Sequence, residues 1–325
     1  MTLLQPEERC LSEAEKDEYR RQAEKALHDL REQVASTNAP SWVRPDANDQ
    51  WLLERSEACR FLDTHGFLVV PQFADPSQVQ NLKEQMHDLV NYHWDPSASL
   101  DTFGTDSVSN TRRGDYFLDS SNKVHFFAEP TALETPGDDQ QQQQKQPHRL
   151  KPEFLHDKMA ALNKAGHGMH TIPGSFRDYT LSQKMRDLVT DLGWQDPVVP
   201  QSMYIFKQPQ IGGTVHSHQD STFLFTEPRQ TCLGLWLALD DATLDNGCLW
   251  VRPGSHREPL RRQFIRNPQY FDQGDTTAPK LIFRTHHEDS EVTWEGQLPE
   301  SLTQTNFIPV EVKAGDLVTF CGTLD

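Results

Sequence analysis

The chain has 325 residues, with 48 acidic and 31 basic side chains and a formal net charge of -17. That length allows one large domain or two small ones around a sizeable core. The acidic balance argues against a nucleic-acid binder, which carries a basic face, and against docking on anionic membranes.

Five scattered cysteines, Cys10, Cys59, Cys232, Cys248 and Cys321, lack zinc-ligand spacing and read as free thiols of a reducing compartment. No basic leader with an apolar run opens the chain, and no stretch of about 20 apolar residues occurs, so a cytoplasmic protein without a membrane span is expected.

Ser12 to about Ser36 reads as a charged helix. Ser12 and Glu15 form a capping box, and Ala23, Ala26, Leu27, Leu30 and Val34 make a narrow apolar stripe, with the charged remainder expected as a solvated face. Pro40, Pro45 and Asn48 mark a linker, so residues 1–49 are taken as helix plus linker and 50–325 as the main domain. A helix around Trp51–Asp63 leads through Gly66 into a short buried strand, Phe67–Val70. Asp75-Pro76 then caps a helix whose apolar positions are Val79, Leu82, Met86 and Val90. Residues 130–153, with the run Gln140 to Gln144, are too polar to pack and are expected as a disordered insertion. Two more helices are expected, around Pro152–Asn163 and Ser175–Leu192.

After Pro197 the texture becomes short segments rich in β-branched and aromatic residues: Val198–Lys207, Thr222–Thr226, Cys232–Leu239, Cys248–Arg252, Val310–Val312 and Leu317–Phe320. Asn246-Gly247 reads as a two-residue hairpin turn. Helices followed by many short antiparallel strands predict an α+β protein whose C-terminal half is a barrel or double sheet.

Within this half lies Val215-His216-Ser217-His218-Gln219-Asp220. On an extended strand His218 and Asp220 project to one face, where an imidazole and a carboxylate can take two positions of a two-His-one-carboxylate site for non-haem Fe(II). His216 shares that face and reads as a pocket or surface residue. His256, in Pro253-Gly254-Ser255-His256, reads as part of a tight turn, and His286-His287 as a solvated loop.

Gln201-Ser202-Met203-Tyr204-Ile205-Phe206-Lys207-Gln208-Pro209, then His218-Gln219-Asp220, Asp245-Asn246-Gly247-Cys248-Leu249-Trp250 and Pro253-Gly254-Ser255-His256, together resemble the phytanoyl-CoA dioxygenase family. Phe61 to Phe73 and Asn163-Lys164-Ala165-Gly166-His167 resemble it too. The likeness covers roughly residues 51–325 and fades over the glutamine run and over 257–304.

The resemblance implies a double-stranded β-helix, or jelly roll, with N-terminal helices packed on it, holding Fe(II) and 2-oxoglutarate and supported by ascorbate. It assigns His218 and Asp220 to iron, Lys164 to the 2-oxoglutarate carboxylates, and Met203 and Trp236 to the co-substrate pocket. Bland readings stand beside these: a surface lysine for Lys164, and core packing for Met203 and Trp236. The family's last ligand is a histidine just after a strand like Gly315-Asp316-Leu317-Val318-Thr319-Phe320. The chain ends at Asp325 before one appears, so the last strands are expected to be missing and Leu317–Phe320 to lie as an open edge.

Two functions follow as expectations. One is hydroxylation of a lipid-like or acyl small molecule; the other is a non-catalytic jelly-roll binding protein or pseudoenzyme.

Overall fold

The computed structural model describes residues 11–35, 55–102, 114–134, 149–213, 215–285 and 307–325. Its first helix, α1 (Glu13–Ala35), starts with the reciprocal cap read from the sequence: the Ser12 backbone N–H donates to the Glu15 carboxylate at 2.9 Å and Glu15 N–H to Ser12 Oγ at 3.4 Å. Ala26, Leu27 and Leu30 pack on the main core and Ala23 is buried; the side chain of Val34 is outside the described set. The charged face is not all solvated. Lys16 pairs with Asp245, Arg20 reaches Glu311 at 2.9 Å, and the Tyr19 ring meets Trp250 edge-on at 5.2 Å.

Helix α2 (Arg55–His65) turns at Gly66, whose φ of +84° is open to glycine, into strand β1 (Phe67–Val70). Helix α3 (Pro76–Asp88) has proline at its first position and Asp75 as its cap, the carboxylate accepting from Gln78 N–H at 2.9 Å. Val79, Leu82 and Met86 are its buried stripe.

Next come β2 (Asp101–Thr102), β3 (Val124–Ala128) and β4 (Leu162–His167). The helix expected over Pro152–Asn163 is absent. Two short 3-10 turns, Pro152–Phe154 and Lys158–Ala161, precede β4. Leu162, Lys164 and Ala165 favour helix, but β4 is sandwiched between two partners, and pairing on both edges overrides local preference. The flanks of the polar insertion are also ordered: buried Leu133 and Leu150 form a bridge, narrowing the unassigned stretch to 135–148, outside the described residues. Ser175–Leu192 is two helices, α4 (Ser175–Thr180) and α5 (Gln183–Asp191), because Ser182 stops the first and caps the second, accepting from Met185 N–H at 3.3 Å.

The remaining strands are β5 (Ser202–Ile205), β6 (Leu233–Leu237), β7 (Leu249–Val251), β8 (Arg262–Arg266), β9 (Leu281–Thr285), β10 (Ile308–Val310) and β11 (Leu317–Cys321). They form sheets of order β1-β11-β6 and β2-β3-β4-β5 and two-stranded pairs β10-β7 and β8-β9, antiparallel except for β2 with β3. The architecture is mixed α and β, as expected, but the described strands draw no closed barrel.

Three strand expectations change. Thr222–Thr226 is not a strand. Asn246-Gly247 is not a two-residue hairpin, since β6 pairs with β11 and β7 with β10; instead Asn246 ties its own loop, accepting from Thr243 N–H at 2.7 Å and donating to the Asp241 carbonyl at 2.7 Å. Leu317–Phe320 is no open edge: β11 lies between β1 and β6, with Leu317 and Val318 fully buried. The first helices and strand, far away in sequence, supply the cover. Two apolar clusters result, one joining α1, α2, α5 and the β11 sheet, the other lying under α3 and the four-stranded sheet.

Candidate active site

From Val215 to Gln219 the backbone is irregular, tightening into a 3-10 turn at Asp220–Thr222. Gln219 itself is extended, with φ -101° and ψ 125°, so its two neighbours project to one side although no strand is present. The alternate residues face the protein. Ser217 Oγ bonds the Asp325 carboxylate. Gln219, 2% exposed, donates to the Thr323 carbonyl at 2.9 Å and accepts from Arg261 N–H at 3.0 Å. Buried Ser221 donates its N–H to the Gly322 carbonyl at 2.7 Å. Three inward anchors thus hold the segment, and His218 and Asp220 stand outward between them.

His218 Nε2 lies 3.3 Å from Asp220 Oδ1, the side chains being 36% and 34% exposed. The other ring nitrogen, Nδ1, meets the His216 carbonyl at 2.8 Å. An N–H there makes Nε2, beside Asp220, the nitrogen that a metal would take on losing its proton, which is how metal-binding imidazoles are commonly oriented. Donors each about 2.1 Å from one ion and at right angles lie about 3 Å apart, so the spacing fits two adjacent positions on a divalent metal. Among the described residues no third His, Cys, Asp or Glu completes such a group. Crowding around His218 pushes its proton affinity down. The Asp220 hydrogen bond and charge, with the His216 carbonyl, outweigh this and leave it above the ordinary imidazole value.

Behind the segment sits Asp325, its side chain fully buried between Arg261 (2.8 Å) and Arg252 (3.2 Å). Its N–H donates to Ser255 Oγ at 2.9 Å. Burial raises its carboxyl pKa, but the Arg261 hydrogen bond and charge, then Ser217 and Arg252, bring it below the usual range. In front, the His218 ring meets Phe223 edge-on at 6.0 Å. Phe223 in turn touches Phe264 of β8 at 5.6 Å and Phe283 of β9 at 6.2 Å.

The residues that the family likeness assigns to 2-oxoglutarate fall in two places. Lys164, only 6% exposed on β4, directs Nζ at Met203 Sδ, 3.7 Å away on β5. The pairing follows from register, since Gly166 is opposite Met203 and Lys164 opposite Ile205. Met203 is 40% exposed, so it is not a core residue. Trp236 on β6 is half-buried against the main core, opposite Val318. Lys164 on β4 and Trp236 on β6 stand in different sheets, and the His218–Asp220 segment lies outside both. His256 belongs to a 3-10 turn after Gly254, its Nε2 3.0 Å from the Asp63 carbonyl. His216 acts through its carbonyl. His286 and His287 lie outside the described residues.

Sequence reasoning missed the anchors Ser217, Gln219 and Ser221 and their partners Arg261 and Asp325. The polar alternation Ser-His-Gln-Asp-Ser carried that signal, since period two assigns two faces, not one.

The family and relatives that the chain matches put it in the class of the 2-oxoglutarate-dependent dioxygenases. A family model described as Phytanoyl-CoA dioxygenase (PhyH) matches residues 62–324, and the chain belongs to that family. It is 39% identical over 264 residues to a "Phytanoyl-CoA dioxygenase" of Arabidopsis thaliana, covering 81% of this chain and 79% of that one. It is 36% identical over 260 residues to "Phytanoyl-CoA dioxygenase domain-containing protein 1" of Rattus norvegicus, covering 79% and 78%. A solved structure titled as a non-heme alpha ketoglutarate dependent carbocyclase, SnoK from nogalamycin biosynthesis, overlays with a TM-score of 0.46 at 16% identity, covering 88% of this chain and 79% of that one, too loosely to define the architecture. No described helix is long and apolar enough to cross a membrane.

Proposed function

We propose that the protein is an Fe(II)- and 2-oxoglutarate-dependent dioxygenase that hydroxylates a small lipid-like or acyl molecule, on a jelly-roll scaffold and in the cytosol. The observation that carries this is the convergence of His218 Nε2 and Asp220 Oδ1 at 3.3 Å on a segment pinned by its alternate residues.

His218 and Asp220 would hold the iron. When bound, Fe(II) supplies the redox chemistry by which O2, 2-oxoglutarate and a C–H bond become succinate, CO2 and a C–OH. The chain's own residues do the positioning. The His216 carbonyl fixes the His218 ring, and Gln219 fixes the backbone between the two ligands. The Lys164 ammonium offers a buried cation for a carboxylate of 2-oxoglutarate, and Met203 and Trp236 offer walls for the co-substrate. The four described cysteines, Cys59, Cys232, Cys248 and Cys321, share no disulfide, in keeping with a reducing compartment.

The test is Fe(II) or Co(II) binding, followed by succinate formation with 2-oxoglutarate and ascorbate, for wild type, His218→Ala and Asp220→Ala. Each substitution should remove metal binding while leaving the melting temperature within a few degrees, because both side chains stand outside the core. Metal binding that survives both changes would sink the site assignment. Metal-free wild type would favour the binding-protein reading.

A further inference from the structure

Among the described residues, the β8-β9 hairpin carries a cation with no counter-ion. Arg262 and Phe264, two apart on β8, share a face, and Phe264 is opposite Phe283 on β9. The Arg262 guanidinium carbon lies 4.0 Å from the Phe283 ring centre, and Phe264 and Phe283 are 4.8 Å apart. Phe223 packs on both rings and on His218, so one continuous aromatic surface runs from the candidate metal ligand to Arg262. All three phenylalanines are only partly buried. They form a wall, not a sealed core.

Arg262 differs from its neighbours. Arg252 and Arg261 both pair with Asp325, whereas among the described residues Arg262 has no carboxylate partner. Its Nη1 is buried with no hydrogen-bond acceptor. A buried unsatisfied donor costs about 1–3 kcal/mol, more when charged. The chain has a net charge of -17, yet no described carboxylate reaches this donor, which leaves its place open to one delivered from outside. Burial and the adjacent Arg261 charge pull its pKa down to about 10, the direction an anion would reverse.

We propose that Arg262 is the anchor for a carboxylate carried by an apolar substrate, whose body lies along Phe283, Phe264 and Phe223 and so reaches His218. The planar guanidinium fork suits a carboxylate in two-point contact, and the rings exclude water around it. For the fate of the bound molecule this rests on the oxygenase reading; for its binding it does not. The bland alternative is that Arg262 only stiffens the hairpin by stacking on Phe283.

The probes are 2-naphthoate, its neutral amide 2-naphthamide and 2-oxoglutarate, titrated calorimetrically into the full 325-residue chain and its variants. Wild type should bind 2-naphthoate. Arg262→Gln should weaken it about tenfold or more, the size of one lost charge-assisted contact. Arg262→Lys should recover part of the loss, while 2-naphthamide and 2-oxoglutarate bind all three proteins equally. The proposal is overturned by wild type that ignores 2-naphthoate, or by unchanged binding in Arg262→Gln. It is equally overturned by an equal loss for the amide, which would mean hairpin damage, or by a parallel loss for 2-oxoglutarate, which would move Arg262 to the co-substrate. If Arg262→Gln unfolds, Arg262→Lys carries the comparison: an unchanged naphthoate-to-naphthamide ratio overturns the proposal. No turnover is read, so a failed titration leaves the oxygenase reading standing, and absent succinate leaves the carboxylate anchor standing.

Discussion

Gln219 donates through Nε2 to the carbonyl of Thr323, 2.9 Å away and 104 residues later in the chain. Its Oε1 accepts from the backbone of Arg261 at 3.0 Å. One buried amide therefore ties the segment bearing His218 and Asp220 to two separate parts of the fold. Both its neighbours in sequence are outward-facing, so its own inward orientation sets theirs.

Replacing Gln219 by alanine removes both ties and leaves a buried carbonyl and N–H without partners. A loss of about 1–3 kcal/mol of stability is expected. Metal affinity should fall as well, by about 10–100-fold, as for other groups that orient ligands without touching the ion. Co(II) titration and thermal melts of Gln219→Ala check this. Unchanged Co(II) affinity would show that the backbone holds the pair without the amide.

Asp325 gives the fold a pH dependence of defined sign. Its carboxyl is held below the ordinary range, chiefly by Arg261 acting against burial. The unfolded value is about 3.9, so the ion network stabilises the fold above that pH and is lost as pH falls through the lower folded value. At neutral pH Asp325→Asn leaves the Arg261 guanidinium short of a counter-charge, while Arg252 keeps Glu258, a change of the kind that costs about 3–5 kcal/mol. Melts at neutral pH and below pH 4 should show the gap between wild type and variant shrinking on acidification. A gap independent of pH would mean that the network contributes through packing alone.

Three cysteines, Cys232, Cys248 and Cys321, should be inert in the folded protein. Burial pushes the thiols of Cys232 and Cys248 up to about 12 and that of Cys321 up to about 11. The thiolate is the reactive form, so alkylation by iodoacetamide near pH 8 should spare all three until the protein is unfolded. Mass spectrometry of labelled peptides reads this directly. Rapid labelling of Cys232, which borders the 322–325 segment through the Gly322 N–H to its carbonyl (2.8 Å), would show that this end of the sheet opens readily.

Much of the local structure was legible in the residues. The caps at Ser12 and Asp75, the strand at Phe67–Val70 and the facing pair His218 and Asp220 all depend on groups within four residues of one another. The misreadings have a common cause. Leu162–His167 looks helical by composition but becomes a strand because β3 and β5 bond both its edges. Leu317–Phe320 looks like an edge until β1, some 250 positions earlier, pairs with it. Asn246-Gly247 looks like a hairpin turn, but the strands beside it pair elsewhere.

By itself the sequence determined the family, the helix caps and two candidate ligands sharing one face, because motif order, dihedral preferences and side chain-to-backbone bonds are all carried locally. Tertiary structure alone decided what stands around that pair: the Gln219 anchors, the Arg252–Asp325–Arg261 network, the Lys164–Met203 contact and the aromatic wall ending at Arg262. Those contacts join residues tens to hundreds of positions apart. Closing such loops costs chain entropy that only the burial of the whole core repays.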